Sequence, residues 1–241
     1  MTGRLTVRTL VAIVGLLAIG VLFTSLGVWQ LQRAATSRNT AASFATGAAE
    51  APLPEPPASL ADAARFRRLE VKGTYAAAPQ FLLDNMLHDG VAGYQVLTPL
   101  NIVGSAQWLL VNRGWLPAGG DRAVLPDVRV GTEERSVVGR LEHLPRPGLR
   151  LGEATPADAA SAVLVVQYPT AQDLADRLGE KLFDYQLLLD PAEADGFVRD
   201  WRVPGLGPER HLSYAGQWLL LAVGAVAAAV TILIKSVRRR P

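Results

Sequence analysis

The stretch Leu10-Val-Ala-Ile-Val-Gly-Leu-Leu-Ala-Ile-Gly-Val-Leu-Phe-Thr-Ser-Leu-Gly-Val28 carries no charge, and the uncharged run around it extends from Thr9 to Gln32. A second uncharged run covers Leu212–Ile234, at the other end of the chain. Each exceeds the roughly 20 residues an α-helix needs to cross a hydrocarbon core. Backbone amides surrounded by lipid must bond within their own segment, so both runs are expected to be transmembrane helices. The two ends therefore decide the architecture: a pair of anchors holds whatever lies between them.

The flanks set the orientation. Arg4 and Arg8 precede the first run, and Lys235, Arg238, Arg239 and Arg240 follow the second. Positive flanks are retained in the cytoplasm, which places both termini inside and the middle of the chain outside. A cleaved signal peptide would also begin with a basic stretch and an apolar run. Here, however, the run is longer than the usual 7–15 residues of such a region. It is followed by Trp29-Gln30-Leu31-Gln32-Arg33 and not by a small-x-small cleavage site. No amphipathic Arg/Ser-rich presequence precedes it, so a bacterial plasma (inner) membrane is expected rather than a mitochondrial one. Gly20 with Thr24, and Gly224 with Ala228, have the spacing that lets helices approach closely. The abundance of Ala and Gly in both runs accounts for those pairs equally well.

At 241 residues the chain has room for one ordinary domain besides the anchors. It contains no cysteine, which excludes disulfides, thiolate metal ligands, a cysteine nucleophile and covalent c-type haem attachment. The net charge of +2 gives no reason to expect a nucleic-acid partner, because many of the basic residues flank the anchors. The expected organisation is a cytoplasmic N-terminus over 1–9, helix 10–31, linker 32–58, an extracytoplasmic domain over 59–210, helix 211–234 and a basic cytoplasmic tail over 235–241. The prolines of Ala51-Pro-Leu-Pro-Glu-Pro-Pro57 make that segment an extended strap.

Within the central domain, strand signals dominate. Arg67–Tyr75, Gln80–Leu83, Tyr94–Leu100, Arg135–Leu144, Val163–Gln167 and Tyr185–Leu189 read as strands, with Asp89-Gly90 as a turn and Pro145-Arg-Pro-Gly148 as a stop. A short helical turn is expected over Ser59–Ala64. Trp108-Leu-Leu-Val-Asn112 suits a strand buried on both faces, ending at Arg113-Gly114-Trp115-Leu116-Pro117. Thr170 is placed to cap a helix reaching Leu178, with Gly179 just past its end. The fold class expected is α+β: a predominantly antiparallel β domain flanked by two transmembrane helices.

Catalytic signals are missing. There is no P-loop, GxGxxG, GxSxG or HExxH, and His88 and His143 stand apart, without metal-ligand spacing. An enzyme is not expected, and both histidines read as surface or structural residues. Asn112-Arg113-Gly114-Trp115 combines a guanidinium, a glycine permitting close approach and an aromatic face, as a ligand- or partner-binding corner would. The same residues equally describe a strand end with a buried Trp and a turn-forming Gly.

The membrane boundary carries more. Trp29, Gln30 and Arg33 close the first apolar run, while Arg210, His211, Tyr214 and Trp218 open the second on the same side. His211, Tyr214 and Trp218 fall at i, i+3, i+7 and share one helix side. Plain interfacial anchoring by an aromatic belt explains Trp29, Tyr214 and Trp218. An imidazole in such a place can also take an axial position on a haem iron, with Arg33 or Arg210 meeting the propionates.

Four motifs follow one another along the chain: Leu26-Gly-Val-Trp29-Gln30-Leu31-Gln-Arg33, Gly93-Tyr94-Gln-Val-Leu-Thr98-Pro99-Leu100, Leu110-Val-Asn112-Arg113-Gly114-Trp115-Leu-Pro117 and His211-Leu-Ser-Tyr214-Ala-Gly-Gln217-Trp218. In this order they resemble the surfeit locus protein 1 family, the cytochrome c oxidase assembly factors. The sequence departs from the family where Leu219-Leu220 follows Trp218 in place of an aromatic, and in its Ala-rich linker. The resemblance implies a protein without catalytic turnover that matures subunit I of a haem-copper oxidase, binding haem a transiently and assisting its insertion. It makes His211 the leading iron ligand and Tyr214 and Trp218 pocket walls, with Trp29, Gln30 and Arg33 contributed by the other helix. Subunit I, membrane lipid and haem a synthase are the partners it implies. An alternative is a membrane-tethered scaffold that docks on subunit I and never holds haem. A sensor or solute-binding domain is a third reading, weakened by cytoplasmic tails too short for a signalling output.

Overall fold

A computed structural model describes residues 6–61, 64–145 and 161–238. The elements run α1 (Val7–Ala49), β1 (Arg68–Tyr75), β2 (Gln80–His88), β3 (Val91–Ile102), β4 (Trp108–Pro117), β5 (Arg135–His143), β6 (Val163–Val166), α2 (Ala171–Leu178), β7 (Leu182–Leu189) and α3 (Pro208–Arg238). Two compact units emerge, one from Met1–Ala42 with Val203–Pro241, the other from Ser43–Arg202. Of the sequence features above, Arg4, Arg239, Arg240 and 146–148 lie outside the described residues, as does part of the turn expected over Ser59–Ala64.

The first unit is an antiparallel pair of helices. Both α1 and α3 are long and apolar enough to cross a membrane, and only 11% of the most apolar window of each is buried. Their outward faces are apolar and open, with Val21 68% and Leu220 73% exposed, which suits lipid and not water. The inward face of α1 steps through Gly20, Phe23, Gly27, Gln30, Ala34 and Ser37, alternating three and four residues. On α3 the matching steps are His211, Ala215, Trp218, Ala222, Ala225 and Ala229. A 3.5-residue period is that of a coiled-coil seam.

Small residues hold every seventh place: Gly20, Gly27 and Ala34 on one helix, Ala215, Ala222 and Ala229 on the other. Lipid offers no hydrophobic drive for helices to associate, so contact depends on close backbone approach. Gly27 provides it: a Cβ there would stand 2.9 Å from Leu219 Cδ2 and 3.6 Å from the Ala215 carbonyl oxygen. The expected small-residue faces are corrected in part. Gly20 lies in the seam, but Thr24 is exposed and bonds back to the Gly20 carbonyl at 2.8 Å. Gly224 and Ala228 both face outward, and nothing approaches within 4 Å of a Cβ at Gly224.

α1 does not end at Arg33. Residues 34–49, expected within the linker, continue the helix, because this Ala-rich stretch lacks proline until Pro52. Thr36 and Thr40 hydroxyls fold back onto the carbonyls four residues earlier at 3.1 Å, absorbing their polarity into the helix. The proline strap 51–57 is non-helical, as read.

The second unit is a mixed sheet in the order β1-β5-β7-β4-β3-β2-β6, closed by an added β1–β3 pairing. β3 is long enough to serve two partners along one edge: Phe81–His88 of β2 pair with Val91–Leu97, and Gly73–Tyr75 of β1 with Leu100–Ile102. That edge-sharing closes β1, β5, β7, β4 and β3 into a small barrel. Its interior is filled by Leu69, Val71, Leu109, Val111, Leu141 and Leu187 among others. α2 covers the other apolar layer, placing buried Leu174 with Phe81, Leu97 and Leu110. Among the described residues five pairings are antiparallel, and β2–β6 and β4–β7 are parallel.

β4 is buried on both faces as expected, with Leu109 and Val111 in the barrel and Leu110 under α2. It does not end at Asn112 but runs on to Pro117, because Arg113 is buried and bonded rather than solvated. α2 is capped as read. The Thr170 hydroxyl accepts from the Asp173 amide at 3.1 Å, the Asp173 carboxylate accepts from the Thr170 amide, and Gly179 takes the left-handed conformation. The strap lies along the barrel, where the Leu53 amide donates to the Arg68 carbonyl and the Tyr185 hydroxyl donates to the Pro57 carbonyl at 2.7 Å.

Tyr75 sits inside the barrel, 3% exposed. Burial pushes its phenol up to about 12, against the pull of the Arg113 and Arg135 guanidiniums. A raised folded pKa gives stability that is complete below the ordinary value of 10.0 and is lost as pH climbs from there through about 12. The unfolding free energy of wild type should therefore fall more steeply than that of Tyr75→Phe across this alkaline window, measured by urea titration, and the two should run parallel below it.

Candidate functional site

Three layers cross the helix seam. Phe23 packs on Trp218 with ring centroids 5.5 Å apart; Gln30 Oε1 lies 2.8 Å from His211 Nδ1; the Ser37 hydroxyl donates to the Leu206 carbonyl at 2.8 Å. Their α1 members are seven residues apart, so successive layers are separated by roughly 10 Å along the helix. The order is chemical as well as spatial: an aromatic layer among the apolar residues, then an amide–imidazole pair, then a hydroxyl beyond the uncharged run.

The site residues expected from the sequence fall into this arrangement unevenly. His211 and Gln30 meet directly, both half-buried. Trp218 is half-buried and is held by Phe23, a residue that the sequence reading missed. Phe23 could have been found by counting back seven from Gln30. Trp29 faces outward, 48% exposed, with the Arg33 guanidinium 5.7 Å from its ring centre. Tyr214 is likewise outward at 47%, and Arg210 is exposed. Tyr214 thus stands on the column beside the seam, while His211 and Trp218 occupy it.

Among the described residues such a site has one imidazole and no acidic partner at hydrogen-bond distance. Among the described residues no cluster of three His, Cys, Asp or Glu could hold a metal ion. Iron bound through His211 would therefore have to bring its own equatorial ligands, as a porphyrin does. The chemistry of the donor set fits a haem and does not fit a bare transition metal.

The Asn112–Trp115 corner belongs to the β domain and helps to hold it together. Asn112 is fully buried; its amide donates to Gln95 Oε1 and Gln186 Oε1, each at 2.9 Å, and its oxygen accepts from the Gly114 amide. Arg113, 2% exposed, donates to the carbonyls of Asp195 and Val128 at 2.7 Å and to Thr98 and Arg129 oxygens at 3.4 Å. Its cation also faces the Phe197 ring at 5.0 Å. Burial pulls the guanidinium below its ordinary pKa, while Tyr75 and Asp195 hold it up. Trp115 donates its indole N–H to the Met86 carbonyl at 2.8 Å, beside the His88 ring. These bonds pin the segment after β7: Trp115 and Val198 exchange backbone bonds at 2.8 and 3.0 Å. Gly114 adopts φ +112°, and a Cβ there would meet the Val198 carbonyl oxygen at 2.7 Å. The backbone carbonyl of His143 accepts from the Gln186 side-chain amide at 2.9 Å.

With this geometry in place, comparison with known families is decisive. The model of the SURF1 family matches residues 17–223. The chain belongs to the SURF1 family. The match enters within α1, takes in the whole β domain and ends at Val223 of α3, so it includes Gln30, the Asn112–Trp115 corner and His211. The SURF1 family is associated with cytochrome oxidase assembly, and is an assembly-factor family rather than a catalytic one. No curated protein matches the chain.

Replacing Gly114 by alanine should destabilise the β domain by about 1–3 kcal/mol, because it combines a disfavoured backbone conformation with a backbone clash. Denaturant unfolding followed by tryptophan fluorescence measures the loss. An unchanged midpoint would show that the corner is not strained against Val198.

Proposed function

We propose that the protein binds haem a at the outer end of the helix seam and assists its transfer into subunit I of a cytochrome oxidase. In this reading both helices span a bacterial plasma membrane, with the termini in the cytoplasm and the β domain outside. One observation carries the proposal: His211 is held by Gln30 at the level where the apolar seam gives way to polar residues. A haem with an isoprenoid tail and carboxylate side chains needs such a boundary, since the tail favours lipid and the propionates favour water.

Each group then has a task. His211 supplies the axial nitrogen. Trp218, braced by Phe23, gives a flat apolar wall, and exposed Tyr214 flanks the imidazole on the same helix. Arg33 and Arg210, exposed on α1 and α3, supply cations for the propionates. A single ligand without further metal-binding residues suits release as well as capture, because a carrier must give its cargo up. Membrane lipid bounds the seam, subunit I receives the haem, and haem a synthase is the source from which it comes.

Docking on subunit I without haem is the second reading, favoured by the tip of the β2–β3 hairpin. Leu87 and Val91 flank the turn there, 72% and 53% exposed, an apolar pair suited to a protein surface.

An absorption spectrum separates the two. Detergent-purified protein, co-produced with the enzymes of haem a synthesis, should show a Soret band that His211→Ala reduces by 10-fold or more. Wild type without haem, together with full oxidase assembly by His211→Ala, would leave only the docking reading.

A further inference from the structure

The contact at 2.8 Å between His211 Nδ1 and Gln30 Oε1 has a chemical direction. With the Gln30 amide oriented so that its oxygen faces the ring, that oxygen only accepts and Nδ1 is the donor. A neutral imidazole holds one N–H, and committing it to Nδ1 leaves a lone pair on Nε2. We propose that Gln30 is a positioning residue: it fixes His211 in the Nδ1–H tautomer and so makes Nε2 the atom offered to a metal. The final clause rests on the haem reading; the tautomer does not.

The surroundings make this more than a passing contact. Metal-bound histidines ordinarily donate their second N–H to an acceptor that sets both tautomer and ring orientation. Gln30 is placed to do so by the seam itself. Phe23, one heptad before it, packs at a tilt against Trp218, one heptad after His211, so the aromatic layer fixes the register of the two helices and with it the pair above. The side chain is also of the right strength. A carboxylate at this place would pull the proton harder, giving the nitrogen imidazolate character and a tighter hold on iron. A neutral amide orients the ring while leaving the ligand weaker, as fits a protein that hands its cargo on.

Nitrogen-15 NMR of the cofactor-free full-length protein in detergent, labelled at histidine, reads the tautomer directly, and the chain has only 3 histidines to assign. His211 should show a protonated Nδ1 and an unprotonated Nε2 in wild type and in Gln30→Glu. In Gln30→Leu the proton should move to Nε2 or exchange between both nitrogens. An Nε2–H tautomer in wild type, or a tautomer unmoved by Gln30→Leu, overturns the proposal. In haem-loaded samples, Gln30→Leu should hold haem about 10- to 100-fold more weakly. Gln30→Glu should restore retention with a lower reduction potential than wild type, a shift that a purely structural role would not produce. Wild type that shows the Nδ1–H tautomer but takes up no haem would sink the haem reading alone and leave the pairing intact.

Discussion

Everything at the candidate site rests on how closely two helices can touch. Gly20 lies against Ala222 and Gly27 against Ala215, seven residues apart on both helices, and the first consequence is steric. A Cβ at Gly27 would force the Leu219 side chain to shift and would fill the space against the Ala215 carbonyl. The second consequence is register. Once the small residues interlock, the positions between them are fixed in pairs, and the pairs are Phe23 with Trp218 and Gln30 with His211. A polar pair in such a seam is stabilised by each partner satisfying the other, since lipid offers neither a substitute.

The β domain obeys a different constraint, that of burying polar groups without leaving them unpaired. β4 runs through the centre of the sheet with Asn112 and Arg113 inside it, and the domain closes around them with carbonyls from Val128, Arg129 and Asp195. Each buried donor left unmatched would cost about 1–3 kcal/mol, so the loops carrying those carbonyls are held in place by the same bonds that satisfy the arginine. The Asn112–Trp115 motif in this way fastens the segment that follows β7. Phe197 and Val198 pair with Arg113 and Trp115 before the chain continues toward α3.

Much of this was legible in the sequence wherever the signal is local. Uncharged length gave both long helices, Thr170 and Gly179 gave the ends of α2, and the double-sided apolar run gave the interior half of β4. What escaped depends on distant partners. Arg113 reads as the end of a strand because its compensating carbonyls are 15 or more residues away in the chain. The helix beyond Arg33 escaped because Arg33 and Arg38 mark the end of an apolar run, whereas the backbone follows alanine propensity until Pro52. The seam escaped because glycine and alanine are common throughout both runs, so Gly224–Ala228, which faces outward, looked as good as Gly20. The motif at His211 was visible, and so was Gln30 on the other helix; that these two side chains bond directly was not, since which residue of α1 lies opposite is settled only by packing.

Disulfide trapping tests the seam most directly, and the absence of native cysteine makes the background clean. A Cβ at Gly20 would lie 3.9 Å from the Ala225 Cβ, close to the separation that disulfides favour. In membranes containing Gly20→Cys with Ala225→Cys, mild oxidation should link α1 to α3 within one chain, detected after cleavage of the intervening domain. Gly20→Cys with Gly224→Cys should link poorly, because Gly224 faces away. Equal trapping of both pairs, or of neither, would contradict the register on which the Gln30–His211 pair depends.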